Sequence, residues 1–195
     1  MAPHIPGSMA RVPVTQFRSQ DDLGRIWSVQ DLLTLEHTAE IAATDWSSLA
    51  WIPAARQETW PRRQIHWDEE PVQRYSRYIS SCLPRINSAL GTEFQHSYGH
   101  FWLDLPGFQV PLHTDGHVPN AMQLYWVVPG PEYGTGFYRY NTKDSLIYQT
   151  ISRPNSGYIM LNHLAPDGHQ PLLWHGMFEP VPAGTIRVSS YWRFD

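Results

Sequence analysis

Two spacings of apolar positions divide the chain. Before about residue 91 apolar residues recur at helical intervals. From Thr92 onward they fall in short runs cut by Pro and Gly. In the first part, Ser28 and Asp31 stand three apart, the pattern of a capping box. Behind them Val29, Leu32, Leu33 and Ile41, with Glu36, His37 and Glu40 between, predict an amphipathic helix to about Ala43. Asp68-Glu69-Glu70-Pro71 opens a second helix, with acids at the positive end of its dipole and Pro in its first turn. Val72, Tyr75, Ile79, Leu83, Ile86 and Leu90 form its apolar stripe. Gly91 stops it, and Pro84 kinks or splits it. Between the helices, residues 46–67 carry four tryptophans and two prolines and read as irregular. Residues 11–27 read as partly extended, since Val12, Val14 and Phe17 fit no helical stripe.

The second part reads as nine short strands: Glu93–Tyr98, Phe101–Leu105, Phe108–His113, Ala121–Val128, Gly136–Tyr140, Leu146–Ile151, Gly157–Leu161, Leu172–His175 and Thr185–Phe194. A set of that size matches a double-sheet jelly roll of the cupin kind. The fold class is therefore mainly β with flanking N-terminal helices that cover the outer face of one sheet. Residues 11–195 form one domain, with a helical support region over 11–91 and a jelly-roll core over 92–195. Residues 1–10 contain Gly7-Ser8-Met9 and read as a cloning scar or disordered start.

Composition narrows the picture. The 17 Pro argue against a helical bundle, and 9 Trp, 10 Tyr and 7 Phe supply rings for a core and a pocket. A net charge of -4 with no basic run gives no reason to expect a nucleic-acid partner. No apolar stretch has the length of a membrane span, and the start lacks the shape of a signal peptide. Cys82 stands alone, which excludes an intramolecular disulfide and a cysteine zinc cluster and fits a reducing, cytoplasmic compartment. Nothing fixes the oligomeric state.

The candidate chemistry centres on His113-Thr114-Asp115. In a strand, residues two apart share a face, so this imidazole and carboxylate can converge on one metal. Such a pair is weak alone: roughly half a match is expected by chance. The chain holds a second, His66-Trp67-Asp68, but there Asp68 reads better as a helix-start acid. A third ligand must come from a distant strand. His175 ends the apolar run Leu172-Leu173-Trp174; the plain alternative is a core histidine held by a backbone carbonyl. Twelve residues on, Arg187 and Ser189 share one face of the last strand. If that face is interior, the guanidinium needs a carboxylate, from the protein or from a ligand. Otherwise Arg187 lies on the surface of an edge strand.

His113-x-Asp115, His175 and Arg187-x-Ser189, in this order and strand context, resemble the motif of the Fe(II)- and 2-oxoglutarate-dependent dioxygenases over about residues 93–193. The resemblance implies a double-stranded β-helix, with His113, Asp115 and His175 as ligands of Fe(II). It implies that Arg187 and Ser189 grip the far carboxylate of 2-oxoglutarate. It also implies an O2-consuming oxidation, most simply hydroxylation of a small-molecule or amino-acid-like substrate, with release of succinate and CO2. Related halogenases have a small residue where Asp115 stands, so Asp115 favours hydroxylation. Gln123 and Tyr125, on one strand face, are candidates for the co-substrate wall. Trp102, His117, Tyr138, Asn162 and His163 are candidates for the substrate mouth. Residues 141–156 read as a lid over the site or a plain hairpin. Two rival readings remain: a cupin-type metalloenzyme that needs no 2-oxoglutarate clamp, and a β-barrel binding module without catalysis.

Overall fold

A computed structural model describes residues 15–54, 61–65, 68–115, 120–162 and 173–195. The described residues form twelve strands: β1 (Gln16–Ser19), β2 (Ile26–Gln30), β3 (Trp51–Pro53), β4 (Arg62–Ile65), β5 (Ser97–Asp104), β6 (Val110–His113), β7 (Asn120–Val127), β8 (Gly136–Tyr138), β9 (Leu146–Gln149), β10 (Ser156–Leu161), β11 (Trp174–Met177) and β12 (Arg187–Phe194). Three helices accompany them: α1 (Leu35–Ala42), α2 (Glu70–Ser80) and α3 (Leu83–Leu90).

The strands form two antiparallel sheets. One has eight strands in the order β1-β2-β10-β7-β12-β5-β4-β3; the other has four, β6-β11-β8-β9. This is the jelly roll that the strand pattern predicts. Side chains of the large sheet alternate between two environments, as the pleat requires. On β12, Val188, Ser190, Trp192 and Phe194 face one way and Arg187, Ser189, Tyr191 and Arg193 the other. The first face joins Phe101 and Leu103 of β5 and Met122, Leu124 and Trp126 of β7 in the main core. Val72, Tyr75 and Ile79 of α2 and Ile86 of α3 pack into that core, so the helices cover the outer face of the large sheet. The second face looks toward the small sheet and carries the polar residues.

Pro84 sits in the first turn of α3, where its missing N–H costs nothing, so the expected long helix is two helices. Gly91 ends α3 at φ 69°, the left-handed conformation that favours glycine at this position. The first helix begins later than the capping-box pattern implies. Ser28 and Val29 lie in β2, where Val29 is wholly buried opposite Gly157 of β10. The helix starts after Thr34, whose hydroxyl accepts a hydrogen bond from the backbone N–H of His37. Sheet pairing here overrides a local cap signal. Glu93–Tyr98 and Phe101–Leu105 are not two strands: Gly99 and His100 continue one strand, β5.

Residues 46–65 are also more regular than expected. After a short 3-10 turn at Trp46–Ser48, β3 and β4 pair with each other, and β4 pairs with β5. Trp46 is buried and packs on Phe101 with ring centroids 5.2 Å apart. Residues 136–149 form the β8–β9 hairpin with a 3-10 turn at its tip, which favours the hairpin reading over the lid. No helix among the described residues is long and apolar enough to cross a membrane. The expectations for residues 1–10 and for His66 lie outside the described residues.

Candidate metal centre

The two histidines meet because β6 and β11 are neighbours in the small sheet. His113 and His175 are directly opposed across the pair, with ring centroids 4.3 Å apart. In each ring Nδ1 lies beside a backbone carbonyl two residues back: Pro111 O at 3.0 Å and Leu173 O at 3.2 Å. A carbonyl oxygen only accepts, so Nδ1 carries the hydrogen and Nε2 presents its lone pair. Both Nε2 atoms turn toward Asp115, at 3.6 Å from Oδ1 for His113 and 3.5 Å from Oδ2 for His175. The three donor atoms lie within 4.8 Å of one another. Backbone carbonyls that fix the tautomer of metal-binding imidazoles are the usual support of such a site. Two imidazoles and a carboxylate on one side fit a divalent transition metal with positions left open.

Asp115 has its own support. Tyr191 donates its hydroxyl to Oδ2 at 3.1 Å, and Asn162 donates its side-chain N–H to the Asp115 carbonyl at 3.3 Å. Burial pushes the Asp115 carboxyl up. His175, His113 and Tyr191 outweigh that and bring it down to about 2. Burial, and then the neighbouring His175, lowers His113. Asp115 is therefore charged and the His113 imidazole neutral near neutral pH, as metal binding requires.

A cavity of about 210 Å³ opens from these three residues between the sheets. Arg187 and Gln123 line it, as do Arg62 and Thr135. Arg187 is buried, and a protein acid answers its charge. Asp104 stands opposite Arg187 in β12 and also opposite Arg62 in β4, because β5 runs between those strands. Its Oδ2 accepts from Arg187 Nε at 2.8 Å and its Oδ1 from Arg62 Nε at 2.5 Å. Arg187 also donates to the carbonyl of Tyr133 at 2.7 Å. The Arg62 guanidinium lies over the rings of Phe108, at 4.0 Å, and Trp102, at 4.6 Å. Burial pushes the Asp104 carboxyl up, and Arg62 and Arg187 together hold it below its ordinary value. Two guanidiniums thus share the Asp104 carboxylate at the cavity wall.

Beside this cluster runs a buried polar row. Gln123 donates to the Ser189 hydroxyl at 2.9 Å and accepts from Thr135 at 3.2 Å; Tyr125 donates to the Thr135 hydroxyl at 3.2 Å. Gln123 lines the cavity, while Ser189 and Tyr125 stand behind it in the row. Trp102 lines the cavity. Tyr138 does not: β8 turns it to the other face, against Phe178, while Phe137 points inward to His175. Asn162 supports the Asp115 backbone instead of lining the cavity. His117 and His163 lie outside the described residues. Sequence reasoning missed Arg62 and Asp104. Asp104 carried a visible signal, an acid in the apolar run Phe101-Trp102-Leu103-Asp104-Leu105. Arg62 carried none.

Solved structures share this fold. A Pseudomonas putida prolyl-4-hydroxylase superposes with a TM-score of 0.61 at 18% identity, over 90% of this chain and 96% of that one. The two proteins share a fold. Two others stand at lower likeness. One is a full-length Neurospora crassa protein in complex with alpha-KG (TM-score 0.47, 11% identity, 82% of this chain and 70% of that one). The other is a putative 2OG-Fe(II) oxygenase family protein from Caulobacter crescentus (TM-score 0.44, 13% identity, 82% of this chain and 68% of that one). No protein-family model matches the sequence, and no curated protein is significantly similar to it.

Proposed function

We propose that this protein is an Fe(II)- and 2-oxoglutarate-dependent oxygenase that hydroxylates a C–H bond of a small molecule. The observation that carries the reading is the pair of imidazoles, each tied at Nδ1 to a backbone carbonyl, with both Nε2 atoms turned to one carboxylate. His113, Asp115 and His175 would hold the iron. When bound, the metal supplies oxygen activation coupled to oxidative decarboxylation of the co-substrate, so that R–H, O2 and 2-oxoglutarate give R–OH, succinate and CO2. The chain's own residues bind and orient. Arg187, with Arg62 beside it on the shared Asp104, holds the far carboxylate of 2-oxoglutarate, and Gln123 and Thr135 offer polar contacts along the wall. Phe108, Trp102 and Met177 keep water from that end. Tyr191 keeps Asp115 oriented by its hydroxyl.

One observation favours a second reading. Asp104 already answers Arg187, so a metalloenzyme that does not use 2-oxoglutarate also fits this site. A succinate-release screen over amino acids, small peptides, nucleosides and aromatic acids, with Fe(II) and ascorbate, separates the two. The first reading expects 2-oxoglutarate consumption that depends on Fe(II) and disappears in His175→Ala. Tight Fe(II) or Co(II) binding without any use of 2-oxoglutarate favours the second. Failure to bind metal, or binding unchanged in His175→Ala, ends both.

A further inference from the structure

Strand β12 carries two arginines on its cavity face, one on either side of the Asp115 contact. Arg187 lies four residues before Tyr191 and Arg193 two residues after, about 14 and 7 Å along the strand at the usual rise. Their surroundings differ. Arg187 has Asp104 as its partner across β5. Arg193 has Tyr98 opposite it on β5 and Ala121 opposite it on β7. Among the described residues no carboxylate pairs with it. Yet Arg193 lines the cavity, only half-exposed, with its charge near the Tyr191 hydroxyl.

His100 adds a second observation. It faces Tyr191 across the β5–β12 pair, and its ring packs edge-on against Trp102 at 4.2 Å. Its Nε2 is buried and, among the described residues, has no hydrogen-bond partner. Arg193, His100 and Tyr191 all line the metal cavity and also a more open cavity of about 690 Å³ beside it. That outer cavity receives Arg77 as well, and no acid is among its lining residues. An unsatisfied buried ring nitrogen and an uncompensated guanidinium at the junction of two cavities both call for a ligand with hydrogen-bonding oxygens.

We propose that Arg193 and His100 form an anion-reading subsite, and that the molecule oxidised here is a small carboxylic acid whose carboxylate docks there. The assignment rests on the oxygenase reading above. In it, the Arg62–Asp104–Arg187 cluster takes the co-substrate and Arg193 takes the substrate, so the metal lies between two carboxylate sites. The guanidinium gives a two-pronged hydrogen bond to a carboxylate. His100 is uncharged near neutral pH, since burial, with Arg62 and Arg193 nearby, lowers it to about 4. It supplies one N–H or one lone pair and no charge. Tyr98 and Trp102 give flanking ring surface.

The test is binding, read apart from turnover. Protein loaded with Mn(II) and 2-oxoglutarate is titrated by calorimetry with free amino acids, N-acetyl amino acids and aromatic acids, each paired with its primary amide. At least one acid binds 10-fold or more tighter than its amide. Arg193→Gln reduces that preference to about 2-fold or less, Arg193→Lys keeps part of it, and His100→Phe weakens the acid more than the amide. Arg153→Gln, which removes the same charge from a distant surface pair with Asp31, leaves the preference intact. Equal binding of acids and amides, binding of neither, or a preference that survives Arg193→Gln overturns the subsite while metal and co-substrate binding still stand. Loss of Mn(II) or 2-oxoglutarate binding by the wild type would instead sink the oxygenase reading itself.

Discussion

Single residues set the chemistry of this site through what they are paired with. Asp115 is held by two imidazoles and a tyrosine hydroxyl, so on the proposed metal site Asp115→Ala removes a ligand and the orientation of the others together. Metal affinity and product formation then fall by at least ~100-fold, beyond the usual loss for a supporting residue, measured by Co(II) titration and succinate release. Arg187 and Arg62 share Asp104, and removing the Arg187 guanidinium takes one positive charge from the cavity wall. Arg187→Gln accordingly raises the 2-oxoglutarate concentration needed for half-saturation by about 10-fold or more, while the metal dissociation constant stays within about 2-fold. A variant that lost metal and kept its co-substrate requirement would reverse that role. Asp104→Asn acts on the fold instead, because it strips the counter-charge from two buried cations and costs roughly 3–5 kcal/mol of stability. His113, His175 and Arg187 were legible because each stands in a short strand whose alternation can be read locally, and Asp115 because it follows the end of β6 by two residues. The acid that answers Arg187 was not, because Asp104 is 83 residues away and only sheet order brings them together.

Elements place these residues, and the ones hardest to read are those fixed by distant partners. β4 is four residues, Arg62-Arg63-Gln64-Ile65, with no hydrophobic alternation to announce it. It is a strand because β5 offers it an open edge, and that edge delivers Arg62 to Asp104. β2 carries a cap-like Ser28 yet stays extended, since β1 and β10 both pair with it. The joint between β10 and α1 depends on Asn155, which sits at φ 56° and is buried. Its side chain accepts from Leu33 N at 2.9 Å, and donates to Leu33 O at 3.0 Å and to Thr38 Oγ1 at 2.8 Å. Asn155→Ala loses these bonds and leaves Leu33 groups unsatisfied. It also puts alanine in the left-handed region, which asparagine tolerates better, for a total cost of about 2–4 kcal/mol. Asn155→Gly keeps the backbone freedom and loses only the bonds, so it costs less. Equal unfolding free energies for the two variants in urea would show that backbone conformation contributes nothing there.

At the scale of the whole molecule, the polar interior couples folding to pH. His100 sits between Arg62 and Arg193, largely out of water, and is lowered from 6.5 to about 4, burial being the main cause. The unfolded chain therefore binds this proton more readily than the folded one. The stability that follows is complete above about pH 6.5 and drains away as pH falls toward about 4. Asp104 is likewise depressed below its ordinary 3.8, so its contribution persists until the pH drops under that value. Acid thus weakens the metal-free protein in two stages, imidazole first and carboxylate second. Between pH 7 and pH 5 the first stage costs roughly 2 kcal/mol through His100. Urea unfolding of the metal-free protein at pH 7 and pH 5 reads it as a lower free energy at pH 5. His100→Gln, which cannot take up that proton, flattens the slope between these values and leaves the decline below pH 4 in place. A wild type equally stable at both pH values, or a variant with an unaltered slope, would remove His100 from the account.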